Sequence, residues 1–286
     1  MDLDIVKWIQ SFRNPVFDWL FYIITQIGDQ YVFIAAAVII YWTIDKKFAH
    51  KFVFTFMVSA IVNSGIKELF KRVRPFYLPG VETEPHWNTD GYAFPSGHAQ
   101  AAGVLGYTLY DVSKKTQKKW VWYIGIAILI LVPLSRVYLG QHYLSDVIVG
   151  VVLSFVIAHF VFKLVDKMGD DEHIYTLMLA PIFIALLFFV KNHDLYIAAG
   201  GFVGFACGYY LEKKYVSYEV KNILWIQVLK VVIGLIIALA IKEGFKMIFP
   251  DVLFFDFVRY LLIGVWAALG APYVFKHAFK NRKKII

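Results

Sequence analysis

Apolar runs of bilayer-crossing length follow one another along nearly the whole chain, and this restricts folding more than any other feature. About 20 apolar residues span a hydrocarbon core. Runs of roughly that length occur near 18–42, 51–68, 98–112, 120–136, 142–164, 174–190, 195–211, 223–243 and 257–276. The chain is therefore expected to be all-α, a polytopic membrane helix bundle of about nine transmembrane helices. Composition agrees: 59% of the 286 residues are hydrophobic, 17% are charged and the mean hydropathy is +0.61. A soluble domain is about a quarter charged.

The first run is interrupted by Gly28, Asp29 and Gln30; it is either one helix with a polar patch facing protein or two shorter pieces, and the single helix is the favoured expectation. Ahead of it, Leu3, Ile5, Val6, Trp8, Ile9 and Phe12 recur at near-helical spacing, as in a helix lying in the membrane interface. Asp2 and Asp4 argue against a cleaved signal peptide. Cys207 is the single cysteine, so no internal disulfide forms.

The net charge of +8 would suit nucleic acid only if it formed a basic face on a soluble module. Instead the cations sit between spans. Lys46, Lys47 and Lys51; Lys114, Lys115, Lys118 and Lys119; Lys163 and Lys167; Lys213, Lys214 and Lys221; and Lys276, Lys280, Arg282, Lys283 and Lys284 hold 17 of the 29 Lys and Arg. The positive-inside rule places these groups in the cytoplasm. The chain is expected to be a multi-pass protein of the cell membrane, with the opposite connectors outside.

Those opposite connectors carry the chemistry. Lys67 precedes Arg74-Pro75 by seven residues, about two helical turns, so both cations are expected on one face of a helix end. Arg74 offers a planar fork to phosphate oxygens and Lys67 a point charge. Pro95-Ser96-Gly97-His98 opens a span, where free backbone N–H groups favour an anion. Ser135-Arg136 closes a span, and His142 and Asp146 follow four residues apart, a spacing that lets Asp146 accept a hydrogen bond from His142 if both lie on one helix face. Each stretch has a plainer reading by itself: a juxtamembrane basic cluster, a serine helix cap, a structural His–Asp pair. Their convergence on one side of the membrane favours a phosphate site.

The pattern K-x6-RP, PSGH and SR-x5-H-x3-D resembles the signature of the type 2 phosphatidic acid phosphatase superfamily, complete and in order over about residues 45–165. The resemblance implies that His142 attacks phosphorus and is transiently phosphorylated, with Asp146 raising its nucleophilicity. His98 then protonates the leaving oxygen and later activates water. Lys67, Arg74, Arg136, Ser96 and the Gly97 amide hold the phosphoryl oxygens. No metal or cofactor is expected, and His86 reads as a loop residue. The implied function is hydrolysis of a lipid phosphate monoester or diphosphate on the extracytoplasmic face. A sugar phosphatase like the nine-span glucose 6-phosphatases, or a lipid phosphotransferase, is the alternative, and a non-enzymatic transporter or scaffold fits least. Residues 1–165 are expected to form the phosphatase core and 166–286 four additional transmembrane helices. The expected partner is a membrane-borne lipid phosphate, with no nucleic acid.

Overall fold

The computed structural model describes residues 1–83 and 91–279. His86, Trp87, Asn88, Thr89 and Asp90, and the basic group from Lys280 to Lys284, lie outside the described residues. Within them regular structure is entirely helical. The helices are α1 (Asp2–Gln10), α2 (Pro15–Gln26), α3 (Gln30–Thr43), α4 (Lys46–Phe70), α5 (Gly97–Thr116), α6 (Lys119–Tyr138), α7 (Leu144–Met168), α8 (Glu172–Phe189), α9 (His193–Leu211), α10 (Leu224–Ile248), α11 (Leu253–Val265) and α12 (Ala271–Ala278). A 3₁₀ turn covers Pro75–Tyr77, and π-helical turns cover Glu212–Val216 and Trp266–Gly270.

Six helical stretches among the described residues are long and apolar enough to cross a membrane, or seven if α2 and α3 count as one bent span. The chain is thus a multi-pass membrane protein, but the expected nine spans are not reached by this measure. The shortfall lies in α5 and α9. Both are as long as a span, yet α5 carries His98, Gln100, Asp111, Lys114 and Lys115, and α9 is rich in glycine. Long stretches of both are buried, so the protein rather than lipid surrounds them and strong hydropathy is not required.

The first run also departs from expectation. It is two helices bent by 44°, broken between Gln26 and Gln30. The Asp29 carboxylate accepts a hydrogen bond from Tyr31 N at 2.7 Å, satisfying a free N–H in the first turn of α3. Gly28 packs so tightly that a Cβ there would stand 2.9 Å from His98 O and from Val132 Cγ1.

Two compact units divide the chain: Met1–Phe33 with Val58–Phe162, and Ile34–Met57 with Lys163–Ile286. In the first, α1 is docked through Val6, which is fully buried with Ala93, Ala99, Val137, Tyr143 and Val147. A second cluster joins Tyr107, Ala158 and Phe162. All the signature residues lie in this unit.

In the second unit α9 and α11 meet main chain to main chain. A Cβ at Gly200 or Gly204 would collide with Phe257 O or Leu261 O, and one at Gly264 would lie 2.7 Å from Gly201 O. Small residues permit this approach between membrane helices, where van der Waals contact supplies much of the association energy. Buried carboxylates at one end are matched by lysines: Glu212 by Lys46 at 2.8 Å and Glu172 by Lys213 at 2.9 Å. Lys230 is fully buried instead of reaching the surface. It donates to Gln227 Oε1 at 3.0 Å and Val220 O at 3.2 Å.

Candidate active site

The first signature stretch leaves the helix sooner than its spacing suggests. α4 ends at Phe70, and Lys71 takes a left-handed backbone with φ 47°, so Arg72 to Arg74 run on outside the helix. Lys67 is on the helix and Arg74 is not; the expected shared helix face does not exist. Arg74 is instead extended (φ −73°, ψ 150°) ahead of Pro75, as a residue before proline prefers. This sends its guanidinium inward, where it is 1% exposed. Arg74 Nε donates to Gly91 O at 3.0 Å and Nη1 to Gln141 O at 3.2 Å.

The second stretch starts α5. Ser96 is the N-cap, its hydroxyl accepting from Ala99 N at 3.4 Å, and its own N–H donates to Asp146 O at 3.1 Å. Gly97 is the first residue of α5, and a Cβ there would meet nothing within 4 Å, so the backbone is open to approach. His98 is half-buried, and the charges of Arg136, Lys67 and Arg74 all act on it.

The third stretch turns between α6 and α7. Gly140 supplies the turn with φ 70°, a conformation costly for other residues. Gln141 N and His142 N both donate to Arg136 O, at 3.0 and 3.3 Å. His142 therefore sits in the connector, two residues before α7, while Asp146 lies in the first turn. Because the two do not share a helix, the expected hydrogen bond between them is not formed. His142 Nδ1 is 3.7 Å from Asp146 Oδ2 and 2.7 Å from Ala93 O.

These contacts fix the tautomer. A carbonyl oxygen only accepts and a guanidinium only donates. Nδ1 therefore carries the proton toward Ala93 O, and Nε2 presents its lone pair to Arg74 Nη1, 3.1 Å away. Burial, then the charges of Arg74, Arg136, Lys67 and His98, push the His142 pKa well below its ordinary value. The ring is neutral at pH 7, the form that can act as a nucleophile.

Several supporting residues carried no signal in the sequence. Thr25 Oγ1 accepts from Arg136 Nη1 at 3.0 Å; both residues are buried. Arg72, which reads as part of a basic cluster, holds Asp146 Oδ1 at 2.6 Å and Asp2 Oδ2 at 2.9 Å. Asn63 Nδ2 reaches Pro95 O at 3.4 Å. These residues meet the signature only through tertiary contacts, which no spacing in the sequence reports. Among the described residues no group of three His, Cys, Asp or Glu is placed to hold a metal ion.

Comparison with known proteins gives a consistent result. The family model described as the PAP2 superfamily matches residues 48–170, and the one described as the PAP2 superfamily phosphatase transmembrane extension matches 196–283. An undecaprenyl-diphosphatase of Sulfolobus acidocaldarius is 30% identical over 156 residues, covering 54% of this chain and 73% of that protein. Phosphatidylglycerophosphatase B of Bacillus subtilis is 35% identical over 117 residues, 37% of this chain and 54% of its own length. A crystal structure of a transmembrane PAP2-type phosphatidylglycerolphosphate phosphatase from Bacillus subtilis superposes with a TM-score of 0.50 at 27% identity. It covers 59% of this chain and 86% of that one.

Proposed function

The chain is a member of the PAP2 superfamily, and from that premise we propose that it hydrolyses a lipid phosphate monoester or diphosphate through a phosphohistidine at His142. The observation that carries this is the unprotonated Nε2 of His142, its lone pair aimed by a one-way pair of hydrogen bonds among buried cations. Nε2 attacks phosphorus as the bond to the leaving oxygen breaks, and His98 gives that oxygen its proton. The ring becomes cationic, with the Asp146 carboxylate 3.7 Å from Nδ1 to offset the charge. His98 then takes a proton from water as the water oxygen attacks phosphorus. The P–N bond breaks, its electron pair returns to Nε2, and inorganic phosphate leaves. Arg74, Lys67, Arg136, Ser96 and the Gly97 N–H hold the equatorial oxygens as charge shifts between them. The cations neutralise phosphate, so a chelator is expected to leave turnover unchanged.

An extracytoplasmic site is supported by charge. Each of α4 to α7 has a signature residue at or near one end and lysines at or beyond the other, and lysines favour the cytoplasm. A lipid substrate is supported by the apolar residues next to two of the cations in the chain. Leu69, Phe70, Val73 and Tyr77 are 81%, 64%, 56% and 64% exposed, and they flank Arg72 and Arg74 in the chain. Such neighbours suit acyl or prenyl chains better than sugar hydroxyls, which require polar partners. The relatives above are named for a prenyl diphosphate and a phospholipid monoester, so both bond types are candidates. The deciding measurement is kcat/KM in detergent for a long-chain lipid phosphate, a prenyl diphosphate, a short-chain analogue and glucose 6-phosphate. A preference for glucose 6-phosphate overturns the lipid assignment.

A further inference from the structure

We propose that Arg72 is a positioning residue for the phosphoryl-transfer site and that Asp2 holds it in place, which makes the amino-terminal helix α1 part of the catalytic apparatus. The inference rests on His142 being the attacking group.

Arg72 reaches the site because α4 has already ended at Phe70. Its guanidinium then lies 3.9 Å above the Tyr143 ring and divides its donors. Nη1 donates to Asp146 Oδ1 and to Ser145 Oγ, both at 2.6 Å, and Nη2 donates to Asp2 Oδ2 at 2.9 Å. Asp2 closes the circuit, accepting from Ser145 Oγ and from Ser145 N at 3.4 Å. Burial works against the charge of Asp2, but the hydrogen bonds from Ser145 and Arg72 outweigh it and hold its pKa below the ordinary value. Asp2 is therefore ionised at neutral pH and remains a partner for Arg72.

Helix α1 is seated firmly enough to act as a support. Val6 is fully buried against the connector that carries Tyr143. Gln10 Nε2 donates to Tyr138 O at 3.0 Å and to Glu82 O at 2.8 Å. The planar fork of Arg72 satisfies three partners at once, which a single ammonium on a flexible stem does not reproduce in geometry.

The consequence falls on Asp146. Its side chain is fully buried, and an unpaired buried charge is costly. Arg72 takes Oδ1 and Tyr143 N takes Oδ2 at 2.9 Å. Clamped this way, the carboxylate stays 3.7 Å from His142 Nδ1, close enough to offset charge on the ring but outside hydrogen-bond range. The Nδ1 proton remains with Ala93 O, and the Nε2 lone pair keeps its aim. Without Arg72, Asp146 keeps only the Tyr143 N–H on Oδ2, and the carboxylate, released at Oδ1, is free to turn toward Nδ1. The ring then swings off Ala93, and its protonated form gains a full counter-charge. The other groups acting on His142 are Arg74, Arg136, Lys67 and His98, and Tyr143 and Asp2 also face Arg72; none of them is altered by the substitution.

The test is kcat/KM against pH, with thermal stability, for the purified full chain and its R72Q, R72K and D2N variants on a short-chain lipid phosphate. R72Q is expected to lose about 10²-fold in kcat, as a misaimed nucleophile does. Its acid limb should move up by about one pH unit, the effect of an opposite charge within reach. R72K should return the limb to its wild-type position, since an ammonium also neutralises Asp146, while leaving kcat depressed. D2N should lower kcat about tenfold with KM unchanged. An R72Q enzyme within threefold of wild-type kcat and with an unmoved limb overturns the proposal, as does an R72K limb that stays with R72Q. If R72Q does not fold, D2N decides: reduced kcat at unchanged KM and thermal stability supports the proposal, and wild-type kinetics overturn it. H142A separates the two levels. Activity in H142A removes the nucleophile assignment itself, whereas an inactive H142A beside wild-type-like R72Q and D2N removes only the role of Arg72.

Discussion

Arg74 Nη1 stands 3.1 Å from His142 Nε2, a cation donating to the atom proposed to attack. The contact belongs to the resting site. On the proposed mechanism, a phosphoryl group entering between them would take the guanidinium onto its oxygens and free the lone pair along the line to phosphorus. Arg74 would then guard the proposed nucleophile before turnover and bind the substrate during it.

Replacing His142 with alanine removes the group proposed to form the P–N bond and leaves a cavity in a short connector rather than in a helix. Turnover should fall by at least about 10³-fold, the scale seen when a nucleophile is deleted, with thermal stability nearly unchanged. His98→Ala should retain phosphoenzyme formation only with a good leaving group. Single-turnover assays with aryl and alkyl phosphates measure both.

The pH profile follows from the sign of the His142 shift. Burial and the surrounding cations lower its pKa, so the neutral ring persists to pH values below the ordinary imidazole range and is lost only as pH falls through the lowered value. The acid limb of kcat/KM should therefore lie below about pH 6.5. A limb above that value, on a substrate with no titration there, contradicts the arrangement of charges described.

Thr25→Val tests a residue outside the signature. It removes the acceptor for Arg136 Nη1 while keeping the side-chain volume. A hydrogen bond to a charged group contributes about 1.5–3 kcal/mol, so kcat/KM should fall roughly 10- to 100-fold. An unchanged kcat/KM means that Arg136 keeps its pose without help from α2.

Membrane sidedness is open to direct labelling. In a Cys207→Ala background, a cysteine at Tyr77 should react with an impermeant maleimide in intact cells and one at Gln117 should not. Both positions are exposed. Reaction at Gln117 alone inverts the topology.

The sequence made the membrane character and the chemistry legible for separate reasons. Apolar runs report helices directly, and the signature residues report phosphate chemistry by type and order. What spacing misjudged was the local backbone. Lys67 and Arg74 look like two turns of one helix, but a left-handed Lys71 cuts the helix between them. His142 and Asp146 look like neighbours on a helix, but the helix starts between them. The apolar runs of α5 and α9 read as spans, yet both fall short of span hydropathy and are largely buried in protein. Thr25, Asp2 and Ala93 could not be found in advance, because each reaches the site only through tertiary packing. The break at Gly28 was visible as a polar interruption; that it rests on His98 was not.

The contact between α9 and α11 has a practical consequence. Two backbones pressed together at Gly200, Gly204 and Gly264 leave no groove for an acyl chain to occupy. Detergent that strips lipid from the outer surface finds nothing to replace at that seam. The pair is therefore expected to survive extraction into micelles, and a methyl group added at any of the three glycines, which would force the two backbones apart, is expected to make it sensitive to detergent.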